Sequence, residues 1–230
     1  MSYPFTTLKI LVLDTSTEFC SLALWQDGTV VVRETLAGQR HSELVLPMLD
    51  ELLGAAGLTL TQLDGIAFGA GPGSFTGLRI ACGVAQGLAL GANLPVLGIG
   101  TLEALAQTTK DSKVIAALDA RMGEIYHAAY TRSAEGWEAV CEPTLCLPQK
   151  APQLSGDGWV ACGSGFDKYG EVLSERYRGQ INRIDAGVYP HAREIAQLAA
   201  PGFAKGLGID PADAAPLYIR NKVALKESER

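Results

Sequence analysis

The sequence predicts an α/β protein made of two similar lobes, each a mixed sheet with flanking helices. Short apolar runs that resemble buried strands alternate with segments of helical period. An apolar strand that ends in Leu-Asp occurs twice, at Asp14 and Asp119, about 105 residues apart. The 230 residues are 47% hydrophobic and 19% charged, which is typical of a globular protein.

The first half begins with three strands in a meander. Residues 10–13 are fully apolar and end at Asp14, residues 21–25 form the second strand, and residues 29–35 form the third. Asp27-Gly28, between the second and third strands, is a tight hairpin signal.

Helices and strands then alternate. Residues 42–53 carry a helical stripe with additional apolar residues, which gives this helix more apolar surface than one contact needs. Residues 60–63 form a short helical turn, 66–68 and 95–99 are strands, and 76–91 and 101–108 are helices, with Thr101 as an N-cap.

The second half starts in the same way. Residues 113–119 match 9–14, Ala128 matches Ala23 at nine residues beyond each aspartate, and Glu135-Gly136 replaces Asp27-Gly28 as the hairpin turn. Residues 159–162 are a strand, 168–176 and 192–199 are helices, and 215–221 are extended and then helical.

This order predicts two duplicated lobes of the ribonuclease-H-like and actin-like (ASKHA) type. We expect an N-terminal lobe at 1–108 that carries partner-binding helices. We expect a diverged C-terminal lobe at 109–230, whose final segment packs back on the first lobe.

Composition narrows the function classes. The formal net charge is −6, from 19 basic and 25 acidic residues, which argues against this chain alone holding a nucleic-acid backbone. No run of 18 apolar residues lacks an interruption, so no membrane helix is predicted, and the N-terminus has no secretory-signal pattern. Five scattered cysteines are typical of buried free thiols in the cytosol, and a cytoplasmic location is expected.

The glycine-rich segment 69–79 joins a strand to a helix, where backbone N–H groups can hold a phosphate or another backbone can approach closely. Leu78 and Arg79 follow Gly77, whereas a P-loop needs Lys and then Ser or Thr. The segment does not match the dinucleotide-binding fingerprint either, because its glycine spacing differs and no acidic residue follows at the required distance. The pattern favours a structural turn and leaves anion or nucleotide contact as the second interpretation.

Sequence patterns for catalysis are weak. The three histidines, His41, His127 and His191, form no i+3 or i+4 pair, so no metal site is predicted. Asp14 and Asp119 either face a cleft, one handling magnesium and the other acting as a base, or cap strand ends. The turn after Asp14 lacks the glycine-rich phosphate loop of actin-like kinases.

The helix 76–91 is rich in small residues. Gly83 and Gly87, at four-residue spacing, permit close helix–helix approach. Together with helix 42–53 it predicts a flat apolar platform, which on a soluble domain usually marks a partner site.

Four segments resemble the bacterial TsaB (also called YeaZ) family. They are Ile-Leu-Val-Leu-Asp-Thr-Ser-Thr at 10–17, Gly-Pro-Gly-Ser-Phe-Thr-Gly-Leu-Arg at 71–79, Leu-Asp-Ala-Arg-Met-Gly-Glu-Ile-Tyr at 118–126, and Pro-Leu-Tyr-Ile-Arg at 216–220. The resemblance covers essentially the whole chain and includes the middle motif, which is specific.

The resemblance implies a role in making N6-threonylcarbamoyladenosine at position 37 of tRNAs that read ANN codons. It implies a non-catalytic scaffold for TsaD, which transfers the threonylcarbamoyl group, and for the ATPase TsaE. It also implies a homodimer when TsaD is absent, contact with tRNA only through the complex, and ATP or ADP only at the level of the complex. TsaD-type chains carry His-x-x-x-His where this chain has His41-Ser-Glu-Leu-Val45, without the second histidine.

From the platform and the resemblance together, we expect a partner interface on two helices, formed by Leu46, Leu49, Leu53, Thr76, Arg79, Ile80, Gly83 and Gly87. A degenerate nucleotide cleft would involve Asp14, Thr15, Gly71, Gly73 and Asp119. The alternative function is an enzyme, either an actin-like ATP-dependent phosphotransferase or a metalloprotease-like protein. No catalytic residue and no metal ligand is assigned.

Overall fold

A computed structural model describes residues 8–220. The strands are β1 (Lys9–Asp14), β2 (Phe19–Gln26), β3 (Thr29–Leu36), β4 (Gly65–Gly71), β5 (Val96–Gly100), β6 (Lys113–Arg121), β7 (Glu124–Ser133), β8 (Gly136–Cys146), β9 (Trp159–Cys162) and β10 (Ile181–Asp185). The α-helices are α1 (His41–Ala56), α2 (Phe75–Ala92), α3 (Thr101–Gln107), α4 (Ser164–Arg176) and α5 (Ala192–Ala204). Short 3-10 turns lie at Leu60–Gln62, Pro148–Lys150 and Pro211–Asp213.

Two five-stranded mixed sheets have the same topology. The first sheet has the order β3-β2-β1-β4-β5, and the second has the equivalent order β8-β7-β6-β9-β10. In each sheet the first three strands are an antiparallel meander and the other two are parallel additions. This confirms the predicted fold class of two duplicated lobes.

The hairpin and the helices follow from local sequence. Asp27 and Gly28 both have positive φ, as a two-residue turn between twisted strands requires. Helix α1 ends at Gly57 in the left-handed conformation, and Ser74 caps α2 by accepting a hydrogen bond from the N–H of Gly77. Helix α3 begins at Thr101 itself, whose hydroxyl bonds to the Pro72 carbonyl, so the predicted N-cap role of Thr101 is wrong.

The first sheet is covered on both faces. On one face, α1 and α2 pack against Leu11 and Leu13 of β1. On the other face, Ile195 and neighbouring residues of α5 pack against Ile10 and Val12. The alternation along β1 therefore separates two hydrophobic cores.

Two helices cross between the lobes. Helix α3 lies in the first half of the sequence, yet Leu102 and Leu105 pack on β6 of the second sheet. Helix α4 covers the opposite face of that sheet with Phe166 and Leu173. Helix α5 lies in the second half and packs on the first sheet, so each lobe supplies a covering helix to the other.

Residues 209–220, which we call the C-terminal strap, run from the first lobe to the second. Ile209 pairs with Val96, and the Leu217 N–H donates to the Ala70 carbonyl at 2.7 Å. Residues 214–220 contain no helix, so the helical part predicted for 215–221 is wrong within the described residues; residue 221 lies outside them.

Helix α2 has the length and hydropathy of a membrane span, and it is the one described helix that does. It packs against β4 through a buried face that includes Leu78, Ala81 and Ala85. The alanines on this buried face bring the helix axis close to the sheet.

Candidate functional site: the glycine turn, the interlobe cleft and the α2 face

The glycine turn is filled by the chain's own backbone. A Cβ at Gly77 would overlap the carbonyl oxygen of Thr15, and one at Gly73 would lie 2.6 Å from that of Ser16. The Thr15 hydroxyl donates to the Gly77 carbonyl at 2.6 Å, and the Ser74 N–H donates to the Ser16 carbonyl at 2.8 Å. The glycines therefore let the β1–β2 turn pack directly against the glycine turn and the first turn of α2.

Asp14 points away from the cleft, because Gly69 on the neighbouring strand leaves room for its carboxylate. A Cβ at Gly69 would overlap Asp14 Oδ1 and would lie 3.3 Å from Ile195 of α5. Burial raises the pKa of Asp14 to about 7, with a smaller contribution from Glu194, although hydrogen bonds from Ser16 oppose the shift. The carboxyl is thus a buried group of the lobe interior.

A cleft of about 1070 Å³ separates the lobes. It is lined by the start of α2, the β6–β7 hairpin, the start of α4 and the end of the C-terminal strap. Of the residues predicted for a degenerate nucleotide cleft, Gly73 and Asp119 line it. Asp14, Thr15 and Gly71 do not: Asp14 is buried beside Gly69 and near α5, Thr15 is buried against the first turn of α2, and Gly71 faces the C-terminal strap.

Asp119 is held by neighbouring cations. Its Oδ2 lies 2.9 Å from Lys168 Nζ and 3.5 Å from an Arg121 guanidinium nitrogen, and its Oδ1 accepts the Arg121 N–H at 3.0 Å. The bond to Asp119 raises the pKa of Lys168. These contacts fix the β6–β7 hairpin at the mouth of the cleft.

The histidines lie in three separate places. His41 is the first residue of α1 and lines the cleft, while Val45 one turn later is in the core. His127 is fully buried, and its Nε2–H donates to the Tyr177 hydroxyl at 2.8 Å, which in turn donates to the Pro152 carbonyl. Within residues 8–220, no three His, Cys, Asp or Glu side chains converge on a point that suits a metal ion.

One face of α2 is open and flat. Thr76, Gly83 and Gly87 are exposed, and Ile80 beside them is half-buried. A Cβ at Gly83, Gly87 or Gly91 would meet nothing within 4 Å, so the chain's own packing does not explain these glycines. Glycine in an exposed helix interior costs about 1 kcal/mol relative to alanine.

The predicted interface residues of α1 divide into two groups. Leu46 is 49% exposed on α1 and is free for a partner contact. Leu49 and Leu53 are 3% and 6% exposed and belong to the first-lobe core, so assigning them to a partner surface is wrong. The wide apolar stripe of α1 is explained by two neighbours, because the helix packs on β2 and also against α2.

Arg79 is held in place within the chain. Its guanidinium lies over the Phe75 ring at 3.9 Å, and its Nε–H donates to the Tyr218 hydroxyl at 2.9 Å. Tyr218 also packs against Phe75, with ring centroids 5.5 Å apart. Sequence reasoning missed Tyr218, which lies 139 positions from Arg79.

Duplicated sheets, exchanged covering helices and the cleft between them define a two-lobed actin-like protein. The family model described as "TsaD: tRNA N6-adenosine threonylcarbamoyltransferase" matches residues 31–224. The chain belongs to this TsaD-like family, and within it to the bacterial TsaB (YeaZ) group.

Two curated relatives and one solved structure match over nearly their full length. The tRNA threonylcarbamoyladenosine biosynthesis protein TsaB of Escherichia coli is 41% identical over 96% of this chain and 98% of the relative. The protein of the same name from Haemophilus influenzae is 37% identical over 96% and 97%. The solved structure of YeaZ from Pseudomonas aeruginosa has a TM-score of 0.84 at 36% identity, covering 92% of this chain and 99% of that one.

Proposed function

We propose that this chain acts in the biosynthesis of tRNA threonylcarbamoyladenosine as a non-catalytic partner of TsaD. The names of its relatives support the pathway. In this proposal the chain works in the cytoplasm, pairs with TsaD as a scaffold that TsaE joins, and reaches tRNA only through the complex. In the absence of TsaD, the same face pairs two copies of the chain.

One observation carries the proposal: Gly83 and Gly87 stand on an exposed helix with open space above them. Their cost to helix stability is offset if a second helix packs closely there. We propose that these glycines act together with Leu90 of α2 and Leu46 of α1, which are 61% and 49% exposed, and we call these four residues the docking face. A flat, small-residue surface with apolar edges fits a helical partner face of the same kind, such as that of a homologous chain.

The occupied glycine turn weighs against the alternative of a phosphotransferase. Thr15 and Ser16 lie against Gly77 and Gly73, and Asp14 faces the lobe interior. A nucleoside triphosphate held by the backbone N–H groups of the glycine turn would require the β1–β2 turn to move, because the Ser74 N–H is already bonded to Ser16.

Binding to TsaD from the same organism tests the proposal. We expect Gly83→Arg to abolish binding while leaving the chain folded, because the new side chain meets open space in the free protein. Gly170→Arg on α4 is the matched control, since it too meets nothing within 4 Å. Equal TsaD affinity for both variants would refute the docking face.

Reconstitution of the tRNA modification in vitro tests the proposed scaffold role. With TsaD, TsaE, tRNA and threonylcarbamoyl-adenylate present, we expect product to depend on this chain and Gly83→Arg to lose it. Calorimetry of the isolated chain with ATP tests the alternative, because tight ATP binding and turnover sensitive to Asp119→Ala would favour a phosphotransferase.

A further inference from the structure

Three of the sequence motifs meet at one place in the structure. The C-terminal strap ends with Tyr218 and Arg220, which contact the start of α2 and the β6–β7 hairpin respectively. The end of the strap lies more than 90 positions in sequence from both of these segments, and the three together line the mouth of the cleft.

The C-terminal strap is attached firmly to the first lobe. Gln86 Nε2 on α2 donates to the carbonyls of Pro211 and Ala214, at 2.9 and 3.1 Å. The Leu217 N–H donates to the carbonyl of Ala70 in β4 at 2.7 Å. The Tyr218 hydroxyl then accepts from Arg79, the cation at the edge of the docking face.

The last two described residues attach it to the second lobe. The Arg220 guanidinium donates to the Ala120 carbonyl at 3.1 Å and to Glu124 Oε2 at 2.6 Å. Its side chain is only 13% exposed and that of Glu124 is 30% exposed, so water screens this pair weakly. Ile219 packs against the second-lobe core.

We propose that the C-terminal strap is a latch that holds the two lobes together across the cleft and positions Arg79 for the partner. Arg220 anchors the strap to the second lobe, and Tyr218 fixes the conformation of the Arg79 side chain before a partner binds. Fixing a long side chain in advance removes part of the ordering cost of binding. The positioning of Arg79 rests on the proposed function, whereas the latch between the lobes does not.

Hydrogen exchange on the isolated chain tests the latch. We expect Arg220→Ala to speed exchange of the Leu217 amide and of the 119–124 hairpin amides about tenfold or more, because a charge-assisted hydrogen bond is lost. Arg183→Ala is the control, since Arg183 likewise forms ion pairs, with Asp111 and Asp185, but lies away from the cleft.

If Arg220→Ala does not fold, Glu124→Gln removes the same ion pair with a smaller change of shape, and we expect a few-fold acceleration at the same amides. Unchanged protection at both the strap and the hairpin would overturn the latch. Acceleration across the whole chain, equal to that of Arg183→Ala, would overturn it as well.

Affinity for TsaD tests the positioning of Arg79. Tyr218→Phe keeps the ring beside Phe75 and removes the hydroxyl, and we expect three- to tenfold weaker binding. Unchanged affinity for Tyr218→Phe, with binding abolished by Gly83→Arg, would overturn the positioning role and leave the docking face intact. Unchanged affinity for both variants would instead remove the proposed function.

Discussion

The Thr15 hydroxyl donates a 2.6 Å hydrogen bond to the carbonyl of Gly77, and the backbones of the two residues are so close that a side chain at Gly77 has no room. The β1–β2 turn is thereby packed onto the first turn of α2. Because Gly83 on the same helix faces open space, glycine serves two different purposes along α2.

Gly77→Ala is expected to destabilise the chain by more than about 3 kcal/mol, because the methyl group overlaps backbone atoms that cannot rotate away. Urea denaturation monitored by circular dichroism measures the free energy of unfolding. Thr15→Val replaces the hydroxyl by a methyl group and so removes only the hydrogen bond. We expect it to lower the free energy of unfolding by about 1 kcal/mol. A Gly77→Ala variant as stable as the parent would show that the turn and helix can separate freely.

Gly83→Ala and Gly87→Ala are each expected to stabilise the isolated chain by about 0.5–1 kcal/mol, since alanine is the better helix former and meets open space. The same substitutions should weaken TsaD binding, because each methyl group separates the packed helices. Thermal denaturation and titration calorimetry measure the two effects. If the variants are more stable and bind TsaD as tightly as the parent, the two glycines are not needed for close packing against TsaD.

The sequence predicted the duplicated topology because its signals are local. An apolar strand that ends in Leu-Asp and a hairpin turn recur with nearly the same spacing in both halves. The exchange of α3 and α5 was not predictable, because helical periodicity identifies an apolar face and not the sheet that covers it. The sequence assigned Asp14 to the cleft for a similar reason. The space beside Gly69 that its carboxylate occupies depends on the pairing of β1 with β4, which local patterns do not reveal.

Leu46→Glu and Leu49→Ala should separate docking from stability. Leu49 is 3% exposed, so its truncation to alanine is expected to lower the free energy of unfolding by about 2–5 kcal/mol, as is common for a core leucine. Leu46 is 49% exposed, and its replacement by glutamate should change stability by less than about 0.5 kcal/mol while weakening TsaD binding. A large loss of stability in Leu46→Glu would place this residue in the core.

Asp14 makes the stability of the chain depend on pH. Its pKa is about 7 in the folded state, against an ordinary value of 3.8, so the folded state retains a proton that the unfolded state loses. The stability contributed by the neutral carboxyl is complete below pH 4 and is lost as pH rises through 7, by up to about 4 kcal/mol. Relative to the parent, Asp14→Asn should therefore gain stability between pH 4 and 7.5. A stability difference that does not vary with pH would contradict the raised pKa.

His127 should produce the opposite slope. Burial lowers its pKa to about 4 from 6.5, so the unfolded state binds the proton more readily, and stability is lost as pH falls from 6.5 through 4. The contributions of His127 and Asp14 then largely cancel between pH 4 and 6.5. Urea denaturation across this range should show Asp14→Asn gaining stability with rising pH, and His127→Gln losing it. Proton NMR provides the direct check, because a His127 ring that titrates near pH 6.5 in the folded chain would contradict its buried, neutral state.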